Sequence, residues 1–178
     1  MKLTPEEQSE QEHYRDARFS GGYGDIWKSV GKCVFCEPER DQYNIFEENG
    51  MMLTVNVFAY IDGHLMIIPR RHIKSVKELT TEEWESARKM MYIAKKLIRK
   101  VYGIKGLQYI IRDGGIEAQS TVSDHLHIHA IPFDAADLSV WNYRKLKYTP
   151  LENTELFKSQ SKKIVELAKK FDEKYGDD

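Results

Sequence analysis

A chain of 178 residues, 41% hydrophobic and 31% charged, suits one globular domain with a sizeable core. Its formal net charge is −1, so no overall field draws it to nucleic acid or a membrane surface, and no apolar run approaches the roughly 20 residues that span a bilayer. Its 2 cysteines form a single C-x-x-C pair, which in a reducing compartment reads as metal or redox chemistry and not as a disulfide framework.

The first residues, Met1 to Glu7, are polar and acidic, unlike a signal peptide, so a cytoplasmic location is expected. Thr4-Pro5-Glu6-Glu7 predicts a helix start, with Thr4 as N-cap, Pro5 in the first turn and Glu7 as the capping-box partner. The helix runs to about Arg18 and is poor in apolar residues, so an arm is expected. Ser20-Gly21-Gly22-Tyr23-Gly24 reads as a flexible linker. Residues 1–24 are thus an N-terminal arm and linker, and 25–178 a single domain with Trp27 as an anchor near its start. Cys33-Val34-Phe35-Cys36 has three readings: half a zinc site, a redox pair, or two small core residues. Glu37-Pro38 breaks any following helix, which weakens the redox reading. A zinc half-site needs two further ligands, for which His72 and His125 are candidates.

Tyr43 to Phe46 and Met51 to Phe58 predict two strands joined by a turn at Glu48-Asn49-Gly50. Asp62-Gly63 is another turn, and His64 to Pro69 a buried strand. Thr80 and Glu83 form a capping box for the strongest helix, with Trp84, Ala87, Met91, Ala94, Leu97, Ile98 and Val101 at core spacing and Gly103 at its C-terminal cap. Leu107 to Ile111 is a strand, and Arg112-Asp113-Gly114-Gly115 the turn after it. A last helix is expected from Asn153 or Thr154 to about Tyr175, burying Leu156, Ile164, Leu167, Ala168 and Phe171. Strands, a helix, then more strands give an α+β class, an antiparallel sheet with a helix on one face.

Ser123-Asp124-His125-Leu126-His127-Ile128-His129-Ala130-Ile131-Pro132 is the chemically dense stretch. Strict alternation is the period of a strand, so the three histidines share one face while Leu126, Ile128 and Ala130 enter a core. Pro132 is expected to end the strand. One metal cannot easily hold all three imidazoles, because residues i and i+4 on a strand lie roughly 13 Å apart at about 3.3 Å per residue. Nucleophile, acid and phosphate binder remain as roles.

His-Leu-His-Ile-His-Ala-Ile resembles the motif of the histidine-triad (HIT) family, nucleotide hydrolases and transferases. Gly63-His64 before an apolar strand and Pro69, and the cysteine pair, match in the same order, so the resemblance covers about Trp27 to Pro132. It implies a HIT-like α+β fold that pairs as a homodimer through its helix and an edge strand. It implies cleavage at the α-phosphate of nucleotide conjugates, such as diadenosine polyphosphates or nucleoside phosphoramidates, through a nucleotidyl-histidine intermediate. His127 is the implied nucleophile, a role that residue chemistry also supports, since a neutral imidazole attacks phosphorus well. His129 is expected to bind phosphate or protonate the leaving oxygen, and His64 to stand close behind. Asn56 matches a ribose-binding position and also suits a strand-end turn. His125 either contacts phosphate or, as in zinc-containing relatives, joins Cys33, Cys36 and His72 as a structural zinc ligand. No metal is expected to be needed for the chemistry itself.

Two departures bear on the substrate. Arg112 stands where relatives carry a neutral amide, and Phe133 where many carry a basic residue. Gln119, Ser120 and Ser123 are further expected substrate contacts, in a loop that resembles the diadenosine polyphosphate branch. The alternatives are a non-catalytic adenine-nucleotide-binding module and a metal-dependent hydrolase using a His-x-His pair. No membrane or nucleic-acid partner is expected.

Overall fold

A computed structural model describes residues 3–23, 32–113, 124–135 and 144–176. Trp27 lies outside the described residues. The chain forms α1 (Pro5–Asp16), a 3-10 helix (Pro38–Tyr43), β1 (Asn44–Glu48), β2 (Met51–Val55) and β3 (Leu65–Pro69). Then follow α2 (Thr81–Tyr102), β4 (Gly106–Ile111), β5 (Ile128–Phe133), α3 (Pro150–Lys158) and α4 (Ser161–Tyr175). The five strands make one antiparallel sheet in the order β1-β2-β3-β5-β4.

Strand alternation divides the sheet into two faces of different use. Met51, Leu53, Val55, Leu65, Ile67, Ile128 and Ala130 pack against Ala87, Met90, Ile93, Leu97 and Ile98 of α2 and Phe157, Ile164 and Leu167 of the C-terminal helices. Met52, Met66 and Ile68 point to the opposite face and are covered by Phe35 from the cysteine segment. Helix α2 and the two C-terminal helices thus occupy one face and leave the other for the histidines.

The β1–β2 turn is as the sequence predicts, with Asn49 at φ 46° and Gly50 at φ 72°, the positive values a tight hairpin requires. Helix α2 begins at the Thr80–Glu83 capping box and ends at Gly103, left-handed at φ 73°. Its buried face differs from the predicted one at two positions. Trp84 is 43% exposed and Met91 only half-buried, because the inward place in the first turn is taken by Glu83. The Arg71 guanidinium grips that carboxylate with bonds of 2.8 and 2.7 Å, which holds its pKa below the usual glutamate range.

Three expectations are corrected. The C-terminal helix is two helices, not one. Thr149 caps α3 through a Thr149–Glu152 box, and Asn153 and Thr154 are buried inside that helix. The chain then turns at Ser159-Gln160 before α4. The triad strand starts at Ile128 and does not include His125 and His127. Opposite it Pro69 lacks an N–H for a ladder, and Leu126 N–H instead donates to Ile73 O at 2.7 Å. Alternation survives, with Leu126, Ile128 and Ala130 fully buried. Pro132 lies within β5, opposite Leu107. It is tolerated because β3 begins at Leu65, opposite Ala130, so no β3 residue faces it.

Helix α1, expected as an arm, lies against the domain. Gln11 is 3% exposed, its Nε2 donates to Tyr43 Oη at 2.9 Å, and its Oε1 accepts from Leu151 N–H at 3.1 Å.

Gly63 at φ 83° delivers His64 to the start of β3, and a Cβ there would meet the Tyr102 ring at 2.7 Å. Gly63→Ala is expected to lose roughly 1–3 kcal/mol, the range for a non-glycine residue held at such a φ. Urea unfolding reads this directly, and an unchanged midpoint would refute it.

Candidate active site and metal centre

His125, His127 and His129 divide between two sites. His125 is fully buried, and its Nε2–H donates to Pro69 O at 2.8 Å. That fixes the tautomer and turns the Nδ1 lone pair toward Cys33 Sγ at 3.3 Å and Cys36 Sγ at 3.5 Å. His72 Nδ1 lies 3.4 Å from Cys36 Sγ. The four ligand atoms all fall within 4.8 Å of one another. Zinc bonds of about 2.3 Å to sulfur and 2.0–2.1 Å to nitrogen give a tetrahedron with S···N edges of about 3.5 Å. The three S···N distances match those edges, so the donor set fits a closed tetrahedral ion. Of the two roles offered for His125, this geometry favours the ligand one: its two nitrogens face Pro69 O and the cysteine sulfurs, and it is not among the residues lining the cavity described next.

His127 and His129 line a cavity of 570 Å³. His127 Nδ1–H donates to the carbonyl of His125 at 2.9 Å, so its lone pair is on Nε2. The other tautomers follow from a chain of partners. Tyr60 N–H donates to His64 Nδ1 at 3.3 Å, making that nitrogen the acceptor. His64 Nε2–H then donates to His129 Nδ1 at 3.0 Å. The remaining proton of His129 is on Nε2, a buried atom with no hydrogen-bond partner among the described residues. One imidazole therefore offers a lone pair and its neighbour a proton, with ring centroids 4.7 Å apart.

Burial dominates the electrostatics. It pushes His127 down to about 4, helped by the charges of Arg112, His125 and Arg40 and opposed by the bond to the His125 carbonyl. It pushes His129 down to about 2, helped by His127, Arg112 and Arg18. His64 is held well below the ordinary imidazole value, first by burial and then by the charge of His129. All three are neutral near pH 7, as a nucleophile and a hydrogen-bond donor need to be.

Asn56 lines the cavity, yet its polar ends are both used. Its Oδ1 accepts from Phe58 N–H at 3.0 Å and its Nδ2 lies 3.3 Å from His64 Nδ1, so it serves the turn and steadies His64. Arg112 lines the cavity and donates to Tyr60 Oη at 3.4 Å. Its nearby aspartates are engaged elsewhere. Asp113 accepts from Ser75 Oγ at 2.8 Å, and Asp124 pairs with Lys74 at 2.6 Å. Gln119, Ser120 and Ser123 lie outside the described residues.

Sequence reasoning missed Arg18, Arg40 and Tyr60. Tyr60 stacks on His129 with ring centroids 6.0 Å apart, and the Arg18 guanidinium lies over the Tyr60 ring at 4.2 Å from its centroid. Arg40 sits in the polar run Glu37-Pro38-Glu39-Arg40-Asp41, which reads as solvated. Only the 3-10 helix turns it toward the sheet.

The HIT domain family model matches residues 37–136. The asymmetrical bis(5'-nucleosyl)-tetraphosphatase of Schizosaccharomyces pombe is 33% identical over 101 residues, 57% of this chain and 53% of that one. The chain thus spans about half the length of that relative. The bis(5'-adenosyl)-triphosphatase of Dictyostelium discoideum is 28% identical over 115 residues, 60% of this chain and 73% of that one. A Zn-bound histidine triad family protein from Mycobacterium smegmatis superposes with a TM-score of 0.59 at 18% identity, covering 76% of this chain and 96% of that chain, a likeness of fold. A family match over more than half the chain, centred on the sheet that carries the paired imidazoles, leaves one conclusion: the chain belongs to the HIT-domain family.

Proposed function

We propose that the chain is a nucleotide hydrolase or nucleotidyltransferase that cleaves nucleotide conjugates at the α-phosphate. The observation that carries this reading is the complementary pair in the cavity, a lone pair on His127 Nε2 beside a proton on His129 Nε2. His127 Nε2 attacks the α-phosphorus and forms a phosphorus–nitrogen bond. The bond from phosphorus to the leaving oxygen breaks, and that oxygen departs as a phosphate anion under a hydrogen bond donated by His129 Nε2–H. Water or inorganic phosphate then attacks the phosphorus, the phosphorus–nitrogen bond breaks to restore the lone pair on His127 Nε2, and the proton of an attacking water passes to solvent. His64 acts behind His129 by holding its Nδ1 as the acceptor, and Asn56 and Tyr60 hold His64 in turn.

Cys33, Cys36, His72 and His125 would hold a structural zinc ion, which when bound supplies a crosslink between the cysteine segment and the start of the histidine strand. Homodimerisation belongs to the same reading: β4 is an edge strand with Tyr109 and Ile111 exposed on it at 38 and 36%, and Trp84 of α2 is exposed at 43%. No helix among the described residues is long and apolar enough to cross a membrane.

The test is chemical trapping. Wild-type protein mixed with a dinucleoside polyphosphate or a nucleoside phosphoramidate and quenched in base is expected to carry one nucleotidyl group on His127, read by mass spectrometry. Product analysis with water and with inorganic phosphate as acceptor then separates hydrolase from phosphorylase. Tight nucleotide binding without adduct or turnover would instead identify a binding module.

A further inference from the structure

Two arginines on the cavity wall have few partners among the described residues. Arg40 is half-buried, its Nε is buried with no hydrogen-bond partner, and its Nη2 makes only a 3.4 Å bond to Val55 O. Its guanidinium lies over the rings of Phe35 and Tyr43, at 5.4 and 5.5 Å. Among the described residues Arg112 makes a single hydrogen bond, the 3.4 Å contact to Tyr60 Oη. Neither forms an ion pair among the described residues. The other acidic groups of the cavity are Glu10, Glu37 and Glu39. Glu37 pairs with Lys32 at 2.5 Å and Glu10 accepts from Tyr14 Oη at 2.5 Å, so neither neutralises the pair.

A guanidinium presents five N–H donors in a rigid fork. Leaving one desolvated against aromatic rings with most donors unused is costly unless a ligand completes it. Phosphate oxygens match the fork bidentately. Both guanidinium groups line the same cavity as His127 and His129, so they share the space with the imidazole that attacks phosphorus. The phosphate under attack is served by His127 and His129, which leaves the two forks for phosphates further along the chain.

We infer that Arg40 and Arg112 form a subsite for the non-reacting phosphates, which makes the preferred substrate a polyphosphate-linked nucleotide and not a conjugate with a single phosphate. This rests on the function proposed above for its chemistry, but the subsite is a binding claim with its own readout.

The probe is inorganic tripolyphosphate, titrated by calorimetry into wild type, Arg40→Gln, Arg40→Lys and Arg112→Gln, each checked by thermal melting. Tripolyphosphate is expected to bind in competition with nucleotide, and each Gln variant to bind it about tenfold or more weakly, the scale of a lost charge-assisted bond. Arg40→Lys, which keeps the charge without the fork, is expected to fall between. If Arg40→Gln fails to fold, Arg40→Lys and Arg112→Gln carry the test. For turnover, each variant is expected to lose about tenfold or more in kcat/KM on a dinucleoside tetraphosphate and clearly less on a nucleoside phosphoramidate. The inference falls if tripolyphosphate does not bind, if the Gln variants bind it as wild type does, or if both substrates lose equally. Tripolyphosphate binding that depends on both arginines, in a protein that turns over neither substrate, would uphold the subsite and defeat the proposed catalysis.

Discussion

Replacing His127 with asparagine is expected to lower turnover by roughly 10³-fold or more, the scale seen when a nucleophile is removed. Nucleotide affinity should stay within about tenfold, or 1.4 kcal/mol. The two effects separate because the imidazole has two jobs on different nitrogens. In the proposed mechanism Nε2 supplies the lone pair that bonds to phosphorus, and nothing in an amide replaces it. Nδ1–H donates to the His125 carbonyl at 2.9 Å, and an asparagine Nδ2 can take over that bond. The cavity wall and its arginines remain in place. Rapid-quench kinetics for turnover and calorimetry for binding read the two quantities. A variant that turns over at near the wild-type rate would show that His127 is not the nucleophile, and a collapse of binding together with turnover would show that its role is positional.

The second large effect is expected at the cysteine cluster. Purified wild type should hold about one zinc per chain, and Cys33→Ser with Cys36→Ser should lose it, because two ligands cannot close a tetrahedral site. An ion bound only by the folded chain at about 100 times its dissociation constant contributes about 2.7 kcal/mol. At about 2–4 °C per kcal/mol for a chain of this size, the melting temperature should fall by roughly 5–10 °C. Turnover should fall as well. The cysteine segment carries Phe35, which covers Met52, Met66 and Ile68 and sits 5.1 Å from the His127 ring, and it leads into the 3-10 helix that bears Arg40. Metal analysis and calorimetry check the claim without reference to activity. Metal-free wild type that melts at the same temperature as the zinc-loaded protein would refute a structural ion.

The local signals of this sequence were legible because they are short in range. The Asn49-Gly50 turn, the Thr4 and Thr80 capping boxes and the left-handed Gly103 each follow from a few adjacent residues. Thr149-Pro150-Leu151-Glu152 carries the same signal as Thr4-Pro5-Glu6-Glu7, and reading it would have split the C-terminal helix correctly. The alternation of His125 to Ala130 likewise showed which side chains leave the core, even where the ladder itself does not form. Cys33 and Cys36 with His72 and His125 were nameable because spacing and resemblance pointed to the same residues.

What the sequence by itself determined, then, is the set of chemical groups and the face of the sheet from which they project. Local periodicity and turn chemistry are enough for that, since they depend on backbone geometry within a few residues. Which histidine faces the cysteines and which face the cavity was decided only in three dimensions. His125 was separated from the other two by the carbonyl of Pro69 and the sulfurs of the cysteine segment, partners 56 to 92 residues away in the chain. The tautomers of His64 and His129 were decided by a relay across 65 residues. Arg18 and Arg40 reached the cavity only because α1 and the 3-10 helix fold back over the histidine face. A charged residue in a polar run has no local signal that distinguishes solvent from a ligand pocket. The distinction lies in what the rest of the chain places opposite it, which is a property of packing and not of sequence spacing.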